Sequence, residues 1–162
     1  MVTEKLIISK LYTRLRGFQS ICAYNGFYPN EYFVTPMNIE FDLIFVTRAH
    51  YVVEYEIKLS LADFRADKKK ILKHAMIKTG IYPAVFSYVI PIEIKDKIEL
   101  PEHCGLITFC YNSENKGYTT FDVAKEPYVK SKKKISDECL IRILKNQSMR
   151  GFRRLEKEIE NE

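Results

Sequence analysis

The stretch Tyr51-Val52-Val53-Glu54-Tyr55-Glu56-Ile57-Lys58-Leu59-Ser60-Leu61-Ala62-Asp63-Phe64-Arg65-Ala66-Asp67-Lys68-Lys69-Lys70 changes its hydrophobic period midway, and that change decides the fold. Up to Leu59 the side chains alternate. Val53, Tyr55, Ile57 and Leu59 share one face of a strand, and Glu54, Glu56 and Lys58 share the other. Ser60 then reads as a helix N-cap, and Asp63 three residues later completes a capping box. A single helix from Leu61 to about Lys78 follows, with Phe64, Ile71, Leu72 and Ala75 as its inward stripe. Gly80 and Pro83 end it, and Val85 to Ile90 has the apolar character of a buried strand. Strand, helix, strand in this order predicts a right-handed crossover with parallel pairing.

Working outward, Phe41 to Thr47 forms a second strand candidate, and the short link Arg48-Ala49-His50 predicts an antiparallel hairpin with Tyr51 to Leu59. Residues 3–20 read as an amphipathic helix through Leu6, Ile7, Leu11, Leu15 and Phe18. Tyr24 to Met37, broken by Asn25-Gly26, Pro29-Asn30 and Pro36, reads as an ordered but irregular connection. Downstream, Leu106 to Tyr111 and Tyr118 to Val123 form a second hairpin. Ser136 caps a last helix whose stripe is Leu140, Ile143, Leu144, Phe152, Leu155 and Ile159. The expected architecture is α/β, a mixed central sheet flanked by helices, in one domain spanning residues 1–162.

Composition narrows the function classes. With 46% hydrophobic and 29% charged residues the chain can build a core, which excludes disorder over most of its length. Its apolar runs are far shorter than the roughly 20 residues of a membrane span, and the N-terminus lacks the order of a secretory signal, so a cytoplasmic protein is expected. Cys22, Cys104, Cys110 and Cys139 are irregularly spaced and read as free thiols. His103, Cys104 and Cys110 are the residues from which a zinc site could be built, but they lack the paired short spacing of one.

The chemistry-bearing residues cluster around the opening stretch. Residues two apart on a strand lie about 6.5 to 7 Å apart along the backbone, so the Glu56 carboxylate and Lys58 ammonium can converge on one small site. Asp42 sits among Phe41, Leu43, Ile44, Phe45 and Val46, where an unpaired carboxylate is costly to bury and a metal ion relieves the cost. The plainer alternative is a solvent-facing half-strand carrying Glu54, Glu56 and Lys58, with Asp42 a charge facing water. Against it stand Asp67 and Lys68, which interrupt the inward stripe of the adjacent helix. Glu54, Asp63 and Asp67 are accessory candidates, with helix capping the first role of Asp63. Glu4 is a further acid, suited to stabilising its own helix N-terminus.

Asp42, then Glu56-Ile57-Lys58, then Ser60 to Lys69 together resemble the PD-(D/E)XK nuclease superfamily. Within it, the run EIKLSLADFRADKK is similar to MmcB-like DNA-repair proteins and their phage relatives, in which E-V-K-x-S-x-x-D-F-x-x-D-x-K recurs. Leu100-Pro101-Glu102-His103-Cys104-Gly105-Leu106-Ile107 also resembles a stretch of that family. The resemblance covers about residues 41–109. It implies a restriction-endonuclease-like αβββαβ core and hydrolysis of nucleic-acid phosphodiesters with Mg²⁺ or Mn²⁺. It also implies metal ligation by Asp42, Glu56 and the main-chain carbonyl of Ile57, with Lys58 orienting or activating the attacking water. Asp42 is preceded by Phe41 where the motif's name has proline.

The formal charge of +5 is unevenly placed. Residues 65–78 alone carry +5 through Arg65, Lys68, Lys69, Lys70, Lys73 and Lys78 against Asp67, and residues 125–134 carry +4. The first of these basic runs lies beside the acidic site, as phosphate-backbone binding requires, so Arg65, Lys68, Lys69, Lys70 and Lys73 are candidate DNA contacts. Three readings follow: a metal-dependent DNA nuclease, with a homodimer as one way to cut both strands; a catalytically inactive nucleic-acid-binding module of the same fold; and an interaction protein docking through its last helix.

Overall fold

The computed structural model describes residues 2–17, 21–29, 39–67, 71–81, 85–112, 118–128 and 133–160. Four helices and six strands occur among them, in the order α1 (Glu4–Leu15), β1 (Ile21–Phe27), β2 (Glu40–Val46), β3 (Val52–Ile57), α2 (Leu61–Asp67), α3 (Ile71–Thr79), β4 (Val85–Pro91), β5 (Gly105–Asn112), β6 (Tyr118–Lys125) and α4 (Asp137–Glu160). A 3-10 helix, Ile92–Lys97, lies between β4 and β5. All six strands join one sheet in sequence order. β3 pairs β4 and β4 pairs β5 in parallel, and the other neighbours are antiparallel. The mixed sheet flanked by helices, and the parallel β3–β4 pair with helices between, agree with the sequence reading.

Each face of the sheet has its own core. On one, Ile7, Ile8 and Leu11 of α1 pack with Leu43, Phe45, Val53, Tyr55 and Ile57. The other joins Ile44, Val52, Phe86, Tyr88 and Ile90 to Phe64 of α2, Met76 and Ile77 of α3, and Leu140 and Ile143 of α4. Burying apolar surface on both sides stabilises the sheet by about 25 cal/mol per Å² removed from water.

Four expectations need correction. Residues 24–27, read from the sequence as the start of an irregular connection, belong to the edge strand β1 (Ile21–Phe27). Asn25-Gly26 carries a turn signal, but here Asn25 takes a positive φ of 45° inside a strand. Gly26 gives way to a ring there, since a Cβ would lie 2.5 Å from Phe41 Cζ. The first helix ends at Leu15, not residue 20. The single helix 61–78 is two described segments, and their phases do not continue each other: Phe64 and Asp67 point inward from α2, whereas α3 buries Lys73, Met76 and Ile77. Ile71 and Leu72, members of the expected inward stripe, are 78% and 59% exposed. Lastly, α4 buries Cys139, Leu140 and Ile143, while Leu144, Phe152, Leu155 and Ile159 of the expected stripe are exposed.

Several local readings hold. The backbone N–H of Asp63 donates to Ser60 Oγ at 3.1 Å and that of Cys139 to Ser136 Oγ at 3.2 Å, so both caps are made. All four cysteines are free. No helix among the described residues is long and apolar enough to cross a membrane.

Candidate functional site

Strand alternation places Glu54, Glu56 and Lys58 on one side of the chain as expected, but not in water. Their exposures are 0%, 2% and 7%, which overturns the solvent-facing alternative. α2 and α3 cover this side and each inserts a charged residue into it, Asp67 and Lys73. Lys73 Nζ lies 2.9 Å from Glu54 Oε1 and 2.6 Å from Glu56 Oε2. Lys58 Nζ lies 2.8 Å from Glu56 Oε1 and 3.5 Å from Asp67 Oδ1. Tyr28 donates to Glu54 Oε2 at 2.7 Å, and Tyr88 donates to Asp67 Oδ2 at 2.6 Å. Removing such charges from water costs several kcal/mol per ion, offset only by close, hydrogen-bonded pairing of this kind.

The two lysines respond accordingly. Burial acts to lower the pKa of Lys58, but the Glu56 charge and hydrogen bond, with Asp67 and Asp42, outweigh it and raise the group. Lys73 is raised in the same way, with burial opposed by Glu54 and Glu56. Both are firmly cationic.

Asp42 reaches the site from β2. Leu43 pairs with Tyr55, and continuing this antiparallel register by one residue sets Asp42 beside Glu56. Asp42 Oδ2 accepts the Ile57 N–H at 2.7 Å. Burial first, then the neighbouring Glu56 charge, raise its pKa from an ordinary 3.8 to about 7, against the lowering effects of Lys58 and the Ile57 N–H. Glu4 of α1 adds a smaller push in the same direction, which brings that acid within electrostatic reach of the site. Glu54 is likewise raised, by burial foremost.

Charge balance gives this arrangement a chemical meaning. Asp42, Glu54, Glu56 and Asp67 supply four carboxyl groups, and Lys58 and Lys73 two ammonium groups. Crowding these acids in a buried place disfavours their full ionisation, and a divalent cation would relieve that cost. Burial is the foremost cause that raises Asp42 and Glu54. Carboxylate and carbonyl oxygens from Asp42, Glu56 and Ile57 make the hard donor set suited to Mg²⁺ or Mn²⁺. The residues present therefore fit the metal that the family resemblance implies.

Other candidates fall elsewhere. Lys73 is not a surface cation: at 6% exposure it belongs to the acidic cluster and is withdrawn from the set of DNA contacts. The sequence reading misses this role because the inward phase of α3 differs from that of a continuous helix. Arg65 and Lys78 are exposed, and Lys68, Lys69 and Lys70 lie outside the described residues. Asp63 is exposed, with its backbone N–H on the Ser60 cap. In the second basic run, Lys125 donates to the carbonyls of Pro101 and Glu102, and Lys134 lies over the Tyr51 ring. Burial pushes the Cys104 thiol up to about 12, which removes it as a nucleophile near neutral pH.

No protein-family model matches this chain. No curated protein matches it. Among solved structures, it is similar to a protein of unknown function from Silicibacter pomeroyi, at a TM-score of 0.55 and 16% identity, over 91% of this chain and 86% of that one. At that identity the similarity concerns the fold alone.

Proposed function

We propose that the chain is a metal-dependent deoxyribonuclease that hydrolyses DNA phosphodiester bonds with Mg²⁺ or Mn²⁺, in DNA repair, recombination or phage DNA metabolism. The observation that carries this reading is the opposition of Asp42 and Glu56 across β2 and β3, with Lys58 bonded to Glu56 and the Asp42 carboxyl pushed up to about 7. Two carboxylates held together at such a cost are a cation site more readily than a structural pair.

Asp42, Glu56 and the Ile57 carbonyl would hold the ion. When bound, it lowers the pKa of a coordinated water and offsets charge developing on the phosphate. Lys58 adds a fixed cation beside the reacting phosphate and, through Glu56 Oε1, is held in one orientation. Ile57 N–H holds Asp42 Oδ2, so the acid does not swing away from its partner. Arg65 and the lysines at 68–70 supply charge for the DNA backbone.

One observation favours a second reading. Both oxygens of Glu56 already face ammonium groups, Lys58 on Oε1 and Lys73 on Oε2, which suits a catalytically inactive nucleic-acid-binding module that keeps the fold. Purified protein incubated with plasmid, linear and branched DNA, with Mg²⁺ or Mn²⁺, separates the two. Cleavage by the wild type that Glu56→Ala and Lys58→Ala both lose supports the nuclease. Binding without cleavage in either metal refutes it in favour of the module.

A further inference from the structure

A second cluster, of different chemistry, adjoins the acidic one. His74 projects from α3, and His103 and Cys104 come from the turn that leads into β5. One ring nitrogen of each histidine and Sγ of Cys104 all lie within 4.8 Å of one another. Cys110, the thiol nearest in sequence to this pair, is exposed on β5 and is not among them. The ligand that sequence spacing does not supply comes instead from a helix 29 residues upstream of His103.

The hydrogen bonds fix the tautomer of His74. Tyr88 has a single hydroxyl hydrogen and donates it to Asp67 Oδ2 at 2.6 Å. Its oxygen lies 3.0 Å from His74 Nε2, so the ring nitrogen must be the donor in that bond. With Nε2 protonated, neutral His74 carries its lone pair on Nδ1, and that atom is buried with no hydrogen-bond partner among the described residues. A histidine that donates from one nitrogen to an oriented acidic relay and has no protein partner for the other has the arrangement of a metal ligand. The turn carrying the other two ligands is held too: Cys104 N–H donates to the Pro101 carbonyl at 3.0 Å, and Lys125 Nζ bonds the Glu102 carbonyl at 2.7 Å.

We propose that His74, His103 and Cys104 form a binding site for a soft divalent ion, Zn²⁺ foremost, distinct from the oxygen-lined site at Asp42 and Glu56. Two imidazoles and a thiolate select Zn²⁺ over Mg²⁺, Ca²⁺ or Mn²⁺. The buried thiol loses its proton on coordination, because a bound cation reverses the effect of burial. Zinc–nitrogen bonds of about 2.0 Å and zinc–sulfur bonds of about 2.3 Å call for ligand atoms roughly 3.3 to 3.8 Å apart, so the cluster closes by about 1 Å on loading. His103 also lines a cleft of about 330 Å³ with Lys78, Glu102 and Tyr128, which gives the ion a way in and leaves a fourth place for solvent. Loaded, the site ties α3 to the start of β5. Through Tyr88 and Asp67 that tie runs to Lys58, so the soft-metal site braces the acidic one.

Chelator-stripped full-length protein titrated with Co²⁺ tests this directly. Tetrahedral binding through a thiolate gives intense visible d–d bands and a cobalt–thiolate charge-transfer band, at about one equivalent, and Zn²⁺ displaces both. Cys104→Ser is expected to lose the charge-transfer band, and His103→Ala, in a partly exposed turn, to weaken binding by about tenfold or more. Asp42→Asn should leave the cobalt spectrum unchanged, which separates this site from the proposed nuclease centre. Failure of the wild type to show the charge-transfer band, or its persistence in His103→Ala and Cys104→Ser alike, overturns the proposal. Should buried Cys104→Ser not fold, the wild-type spectrum and His103→Ala, with its circular dichroism, still decide.

Discussion

Replacing Asp42 by Asn tests the electrostatic account of the acidic site without reference to any reaction. The amide keeps an oxygen to accept the Ile57 N–H and removes only the charge. In the wild type the group titrates at about 7 when folded and near 3.8 when unfolded. Between those values the native state binds more protons than the unfolded state, so wild-type stability falls as pH rises through that window and is level above it. From about pH 5 to about pH 7 the shift spans roughly two units, a ceiling of about 2.7 kcal/mol at 1.36 kcal/mol per unit. The site retains some contact with solvent, and screening reduces the observable change to about 1–2 kcal/mol. Urea unfolding of both proteins in metal-free buffer, at about pH 5 and about pH 8, measures it. The Asp42→Asn protein should gain on the wild type by that amount across the interval. Saturating Mg²⁺ should narrow the gap at the higher pH by stabilising the wild type alone. A difference that does not change with pH refutes the placement of a destabilised carboxylate at residue 42.

Lys73→Met leaves Glu54 and Glu56 buried without their shared ammonium, and should cost about 3–5 kcal/mol at neutral pH in chemical denaturation. The loss should lessen in acid, where the carboxyls protonate. Tyr28→Phe removes the donor to Glu54 Oε2 in the core and should destabilise by about 1–3 kcal/mol in the same assay. Gly105→Ala places a Cβ against Ser87 Oγ and 2.9 Å from the Pro127 backbone nitrogen, so thermal unfolding should show a loss of about 1–3 kcal/mol.

The fold is legible where side-chain period and punctuation agree. From Tyr51 to Ile90 an alternating strand, a made cap and an apolar strand specify a parallel crossover, and the structure has it. Legibility fails where punctuation is absorbed into regular structure. Asn25-Gly26 carries the signal of a turn, yet it is an irregularity in a strand pinned on both sides by pairing to β2, from Ile21–Val46 to Phe27–Glu40. It fails again in α4, whose stripe is amphipathic throughout but buries its apolar residues only over its first turns. Further along, Gln147 and Arg154 reach Tyr24 by hydrogen bonds while the apolar residues face outward.

The site is legible in its strand half and only in part in its helix half, where Asp67 is read as inward and Lys73 is not, for one physical reason. Along a strand, alternation fixes direction, so Glu54, Glu56 and Lys58 are assigned to one side by position alone. Along a helix, direction depends on phase, and the phase of α2 does not carry over to α3. Ile71 and Leu72 read as inward because they are apolar, and Lys73 as outward because it is charged; the structure reverses both. Hydrophobicity is a poor guide to phase beside a buried strand that is itself charged, since two carboxylates on the strand make an ammonium the better inward neighbour than a leucine. The strand's charges therefore predict the helix's. Where a strand directs two acids toward a covering helix, the inward residue of that helix should be sought first among its lysines and arginines, and only then among its aliphatic residues.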